Sequence, residues 1–321
     1  MLSRLRPDLT AYRESRELRS LVLGNFISGM GTQASLVALP YQVYVQTKSP
    51  LLTGLLGAAE LVPLMTMALV GGALADRVDR RRLLLLDQIA LAAVAGALCA
   101  AAIAGNPPTW LLYVLGALMA GFGAVQNVAR SAIVPNLVRP ALLRSALAFN
   151  YGLYQLTMVI GPGLGGLLIA AGGVKLAYGV DAVSCAAMVI GVLAISAQPP
   201  QRDEEGPLLS IRRSIGEGLR FVRRSRALLG SFAIDINAMA FGMPRALFPV
   251  LAVSVYHAGA SGTGLLFASV SAGATVAALT TGWLGHVRRL GLIVIGAVAI
   301  WGLAIAAAAA VPSLWFAAAA L

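Results

Sequence analysis

Nine stretches of this chain, at roughly 20–46, 51–75, 83–105, 109–129, 145–171, 175–197, 228–252, 263–285 and 290–311, are long and apolar enough to cross a bilayer. A helix needs about 20 predominantly apolar residues to span the hydrocarbon core. Inside that core every backbone polar group must be satisfied by the segment itself, which leaves helices as the fold for such runs. The expected fold class is therefore an all-α, multi-pass membrane protein. Composition agrees: 59% of residues are hydrophobic and 12% charged, with a mean hydropathy of +0.82, outside the range of soluble domains. A tenth span begins at Ser313-Leu314-Trp315-Phe316 and the sequence stops at Leu321, so a truncated C-terminus is expected.

Orientation follows from the basic residues, which gather on the cytoplasmic side of spans. With the N-terminus inside, every Lys and Arg except Lys48, Lys175 and Arg245 falls on a cytoplasmic stretch; Arg130, Arg139 and Arg144 are counted there with the rest. The net charge of +11 is thus a topology signal. Spread over five inner loops, it forms no single face for nucleic acid, and no nucleic-acid partner is expected. A cleaved signal peptide is not expected at the N-terminus, because its charged segment leads into a full-length span. Cys99 and Cys185 both lie inside spans, and there is no Cys/His cluster, so neither disulfides nor a metal site are expected.

An internal repeat gives the domain plan. Thr53-Gly54-Leu55-Leu56 returns as Thr263-Gly264-Leu265-Leu266, and Gly72-Ala73-Leu74 as Gly282-Trp283-Leu284, both at an offset of 210 residues. In the same register Asn25 falls on Asp235, and Pro40 within one residue of Pro249. The expected domains are an N-terminal six-helix half at 1–197, a cytoplasmic linker at 198–227 and an incomplete second half at 228–321. Parallel halves of this kind belong to transporters that rock about a central site. In the linker, Leu208, Ile211, Ile215, Leu219 and Val222 have the spacing of an amphipathic helix on the inner membrane surface; a solvated linker is the alternative.

Two segments carry a family resemblance. Gly72-x-Leu74-Ala75-Asp76-Arg77-x-x-Arg80-Arg81 resembles the loop motif between helices 2 and 3 of the major facilitator superfamily. Gly161-Pro162-x-x-Gly165-Gly166 on the fifth span is similar to the core of that superfamily's antiporter motif. The runs at 218–222, 245–249 and 264–268 resemble the enterobactin-exporter and macrolide-efflux branch. The chain departs from these patterns at Asp79, where the loop motif has glycine, and at Ala148 and Thr157, which replace upstream glycines of the antiporter motif. The resemblance implies a bundle of two six-helix halves, the second incomplete here, and a gate motif formed by Gly72, Asp76, Arg77, Arg80 and Arg81. In that gate the Asp76 carboxylate is expected to accept from Arg80 or Arg81 and to face a helix N-terminus. The glycines of the antiporter-like motif allow close helix approach, and Pro162 allows a bend.

Ionisable groups inside spans are functional candidates by default. Glu60, Asp181, Asp235 and Arg245 are read as such. Glu60 either loads and releases a proton or is a hydrogen-bonded packing residue. Asp235 and Arg245, ten residues apart on the seventh span, either handle proton and substrate or form structural pairs with other helices. Asp181 reads as a helix cap near the outer mouth of span six. Asn25, Gln33, Gln126, Asn127, Tyr154 and Gln155 either line a substrate path or bond between helices.

The expected function is secondary active transport, with proton-coupled efflux of an amphipathic small molecule of the siderophore or drug class. The proton gradient supplies the energy, without cofactors, and the partners are substrate, protons and the lipid bilayer of a bacterial plasma membrane. The alternatives are an uptake permease of the same fold and a truncated, non-transporting membrane protein. No nucleophile, base or metal constellation is placed for bond chemistry, so no enzyme is expected.

Overall fold

The computed structural model of the chain describes residues 10–198, 244–280 and 290–321, with short pieces between 220 and 234. Among the described residues all regular structure is helical. A short α1 (Thr10–Glu14) precedes α2 (Arg16–Thr47), α3 (Pro50–Arg77), α4 (Arg80–Ile103), α5 (Thr109–Ile133), α6 (Leu143–Gly172) and α7 (Val174–Leu193). After the linker come α8 (Arg245–Val255), α9 (Gly259–Thr280), α10 (Leu290–Ala310) and α11 (Leu314–Ala320). Eight of these, α2 to α7 with α9 and α10, are long and apolar enough to cross a membrane. The first six expected spans, and the eighth and ninth, thus meet their helices. Of the seventh, at 228–252, the stretches 231–232 and 235–243 lie outside the described residues, Asp235 among them, as do the five apolar positions of the amphipathic linker segment. Its longest described part is α8, which opens in a 3₁₀ turn and ends in a π turn.

Local signals account for the helix ends. Ser15 caps α2 by accepting from Leu18 N at 3.1 Å, and Ser49 caps α3 through Leu52 N, with Pro50 at the first helical position. Asp79 caps α4, accepting from Arg81 N at 2.8 Å and Arg82 N at 3.1 Å.

The described chain forms two compact units. The first is Met1–Pro200 with Ala246–Thr275; the second is Gln201–Arg245 with Val276–Leu321. In the second, α10 presents Leu292, Ile295, Ile300 and Leu303 outward. In the first, α2 is packed between α7 and α6 through small residues. A Cβ at Gly24 would stand 2.7 Å from the Ala187 carbonyl oxygen, one at Gly191 2.6 Å from the Ser20 oxygen, and one at Gly165 2.7 Å from Ala34 Cα. Large apolar side chains of α3, Leu61, Val62, Met65 and Leu69, are exposed among the described residues.

The interior of this unit is layered. One apolar cluster, around Leu18, Leu21, Leu84, Ile133 and Met188, lies toward the basic loop. A second, around Val37, Leu98, Leu112 and Tyr178, lies toward the opposite ends. Between them runs a polar belt. Gln126 Nε2 donates to Gln88 Oε1 at 2.8 Å, and Gln88 Nε2 donates to Ser28 Oγ at 3.1 Å. Thr32 Oγ1 donates to Asp181 Oδ1 at 3.1 Å, and Ser184 Oγ to the Asp181 carbonyl at 2.8 Å. Asp181 is therefore not a cap at a helix end. It sits buried within α7, and its carboxylate serves a contact with α2.

Candidate functional site

Four helices of the first unit, α2, α3, α5 and α6, enclose a cavity of about 480 Å³. Helical periodicity explains which residues reach it. On α2 the lining positions are Asn25, Gly29, Thr32, Gln33 and Leu36, one face at spacings of three and four. On α3 they are Glu60, Leu64 and Ala68, each four apart. Helix α5 contributes a face running from Met119 through Gly123, Gln126 and Asn127 to Arg130, and α6 contributes Tyr154, Thr157 and Met158.

Six of the residues singled out from the sequence, Asn25, Gln33, Glu60, Gln126, Asn127 and Tyr154, thus converge on one cavity. Glu60 packs over Gly116: a Cβ there would lie 3.1 Å from Glu60 Oε1 and 2.6 Å from Leu39 Cδ2, so the glycine makes the space the carboxyl occupies. Gln33 is buried and donates through Nε2 to Met158 Sδ. Gln155 takes another role, donating to Thr275 Oγ1 of α9 at 3.3 Å. Arg245 opens α8 and belongs to the second unit.

Two charged residues escaped the sequence reading. Asp87 on α4 is buried, and neither carboxyl oxygen has a hydrogen-bond partner among the described residues. It lies seven residues from Arg80, close enough to the basic loop to be overlooked as part of a helix end. Arg130, counted above among the topology-fixing arginines, also lines the cavity. The signal that marks it is its spacing of four from Gln126, which puts both on one face of α5.

The basic loop is built as a clamp on helix ends. Arg80 is buried; its Nε donates to the Ala75 carbonyl and its Nη1 to the Ala132 carbonyl, both at 3.2 Å. Arg81 donates to the Val192 carbonyl at 3.1 Å and the Leu193 carbonyl at 2.9 Å. The two guanidinium groups thus engage carbonyls at or near the C-terminal ends of α3, α5 and α7, where cations are favoured by the helix dipole. Asp79 Oδ2 also accepts from Gln198 N at 3.2 Å, tying the exit of the sixth span to the loop. Arg77 is exposed. The Asp76 side chain, and with it the expected Asp76–arginine contact, lies outside the described residues. At the motif's glycines the close contact belongs to Gly71, whose Cβ would meet Val125 Cα at 3.1 Å; Gly72 has open space among the described residues.

The antiporter-like motif works on both sides of α6. Gly161 and Gly165 lie against Gln33 and Ala34 of α2. Gly166 lies against α9, where its Cβ would stand 2.9 Å from Gly264 Cα. Pro162 is buried inside α6, and its carbonyl oxygen would be 2.6 Å from a Cβ at Gly264. At the end of α2 remote from the basic loop, the Tyr44 hydroxyl hydrogen-bonds Ser254 of α8. These two residues are related by the same 210-residue offset as the repeat, so equivalent points of the two halves touch.

The profile of the transmembrane secretion effector family matches residues 11–321. The chain belongs to this family, within the major facilitator superfamily. Among curated relatives, it is 34% identical to the enterobactin exporter EntS of Citrobacter koseri over 295 residues, covering 90% of this chain and 68% of that protein. It is 33% identical, at the same coverage, to the enterobactin exporters EntS of Shigella boydii serotype 4 and Escherichia coli O139:H28. As a secretion effector the chain is a multi-pass membrane transporter of the efflux type, and not an enzyme.

Proposed function

We propose that this secretion effector is a proton-coupled exporter of an amphipathic small molecule of the siderophore class. It resides in a bacterial inner membrane with its N-terminus in the cytoplasm. The observation that carries the reading is the cavity itself: a carboxyl, four amide side chains and a tyrosine converge in one hollow within a helical bundle. Mostly apolar walls with a few convergent polar groups suit an amphipathic cargo. Glu60 is the group there that can take up and release a proton at membrane depth. The relatives' names supply the siderophore class.

The contacts of the first six spans with α8 and α9 support a path closed on the outer side. Tyr44 with Ser254, and Gly166 with Gly264, both lie toward the ends remote from the basic loop. Toward the basic-loop end, a groove of about 640 Å³ follows α6 from Ala141 to Leu156. The positive-inside distribution supports that end as the cytoplasmic one.

The test is transport of enterobactin by the protein reconstituted into liposomes, with and without an imposed proton gradient. Gradient-driven movement opposite to the proton flow is expected, and Glu60→Gln should abolish the gradient's effect while leaving enterobactin binding in place. Undiminished gradient-driven transport by Glu60→Gln would remove that carboxyl from the coupling. Accumulation in the direction of proton flow would instead establish an uptake permease.

A further inference from the structure

The basic loop and the cavity treat arginine in opposite ways. Arg80 and Arg81 each place two donor nitrogens on carbonyls near the ends of three helices. Arg130 also stands in the last turn of its helix, where the same capping role was open to it. It does not take it. Its Nε and Nη1 are buried without a hydrogen-bond partner among the described residues, and its one described contact is Nη2 donating to Asn127 Oδ1 at a long 3.4 Å. Buried guanidinium donors without acceptors are costly, and each such group in a native fold calls for an explanation.

The cavity supplies one. Arg130 lines it together with Asn127 and Tyr154, so the guanidinium stands in the wall of the space a ligand would enter. We infer that Arg130 is the anchoring cation of the substrate site, and that the cargo carries an anionic oxygen group, such as a carboxylate or an ionised phenol, beside an apolar body. Arginine suits this role because its donors stay charged and bind planar oxyanions with defined geometry. Leu36, Leu64, Met119 and Met158 offer the apolar contact for the rest of the molecule. The inference rests on the cavity being the substrate site, as in the export reading, and adds the charge of the cargo.

The probes are two dyes with one xanthene scaffold and opposite charge: fluorescein, an anion, and rhodamine 123, a cation. Binding to the purified chain in nanodiscs is read by fluorescence anisotropy against empty nanodiscs of the same lipid. Wild type should prefer fluorescein. Arg130→Gln should weaken fluorescein by roughly tenfold or more, the scale of one charged hydrogen bond, and leave rhodamine 123 unchanged or tighter. Arg130→Lys should keep the preference in part. Asn127→Asp provides the independent arm: it is nearly isosteric, leaves Arg130 in place, and sets a carboxylate against its guanidinium. It too should lose fluorescein selectively, which covers the case in which Arg130→Gln does not fold. Wild type without a preference for the anion, or fluorescein binding unaltered in Asn127→Asp, would overturn the inference. Both readouts are of binding, so a failure of proton-driven transport leaves them intact and counts only against the export reading.

Discussion

Gly166→Ala is the substitution whose cost can be worked most directly from the geometry. Its new methyl would lie 2.8 Å from the Ala260 oxygen and 2.9 Å from Gly264 Cα. Carbon pairs settle at about 3.5–4.0 Å, so α6 and α9 must part by roughly 0.6–1 Å along this seam. Neither obstacle is the far end of a flexible side chain, because both are backbone. Overpacking of this kind costs about 1–3 kcal/mol. The control lies three residues away. A Cβ at Gly163 meets only Ala268 Cβ, at 4.0 Å, which is ordinary contact. Gly163→Ala should therefore be neutral or stabilising, since alanine is favoured over glycine inside a helix by up to about 1 kcal/mol. The assay is thermal unfolding of purified protein, followed with a thiol-reactive dye that reports on Cys185, which is buried in the fold. The Gly166→Ala protein should melt several degrees below both wild type and Gly163→Ala. If Gly166→Ala melts at or above Gly163→Ala, the α6–α9 seam is not a close-packed contact and the reading of the motif fails.

The other substitutions follow from named partners. Arg80→Ala removes two hydrogen bonds from a charged, buried donor to the Ala75 and Ala132 carbonyls and should cost about 2 kcal/mol or more; the same melting assay with a cost under 1 kcal/mol would refute the clamp. Asp79→Ala, which removes the cap of α4, should cost about 1 kcal/mol. Asp87→Asn should leave stability unchanged or raise it, because the carboxyl it replaces has no hydrogen-bond partner; a loss above about 2 kcal/mol would mean that the carboxyl is held by a partner after all. Glu14→Gln should shift stability by no more than about 0.5 kcal/mol, since the Arg139–Glu14 pair has side chains 71% and 42% exposed.

The sequence made the bundle legible because long apolar runs leave the backbone only one way to satisfy itself in lipid. It also marked six cavity residues, because a polar side chain in an apolar helix stands out and its face can be read from a spacing of three or four. The partners were less accessible. Arg80 and Arg81 donate to backbone carbonyls, and every residue carries one, so no side chain announces the acceptor. The choice of Gly71 over Gly72 as the close contact depends on helix rotation, which a pair of adjacent glycines does not encode. Arg130 and Asp87 were obscured by their position: both lie within two turns of a helix end, where a charge normally reads as topology. Asp181 is ambiguous in sequence for the same reason: seven residues from the start of α7 reads as a mouth position, whereas the residue lies mid-belt against Thr32.

The claim that the cargo passes through the α2–α3–α5–α6 cavity is tested most directly by blocking it. Gly123 lines that cavity, and a Cβ there has open space, so Gly123→Cys adds a thiol without disturbing packing. Everted membrane vesicles carrying this variant would be given a proton gradient and enterobactin, before and after treatment with a bulky maleimide. The unsubstituted chain, which keeps Cys99 and Cys185, is the control. Uptake into the vesicles that is lost on treatment only in Gly123→Cys is the predicted result. Uptake that persists in the fully labelled variant would contradict the account.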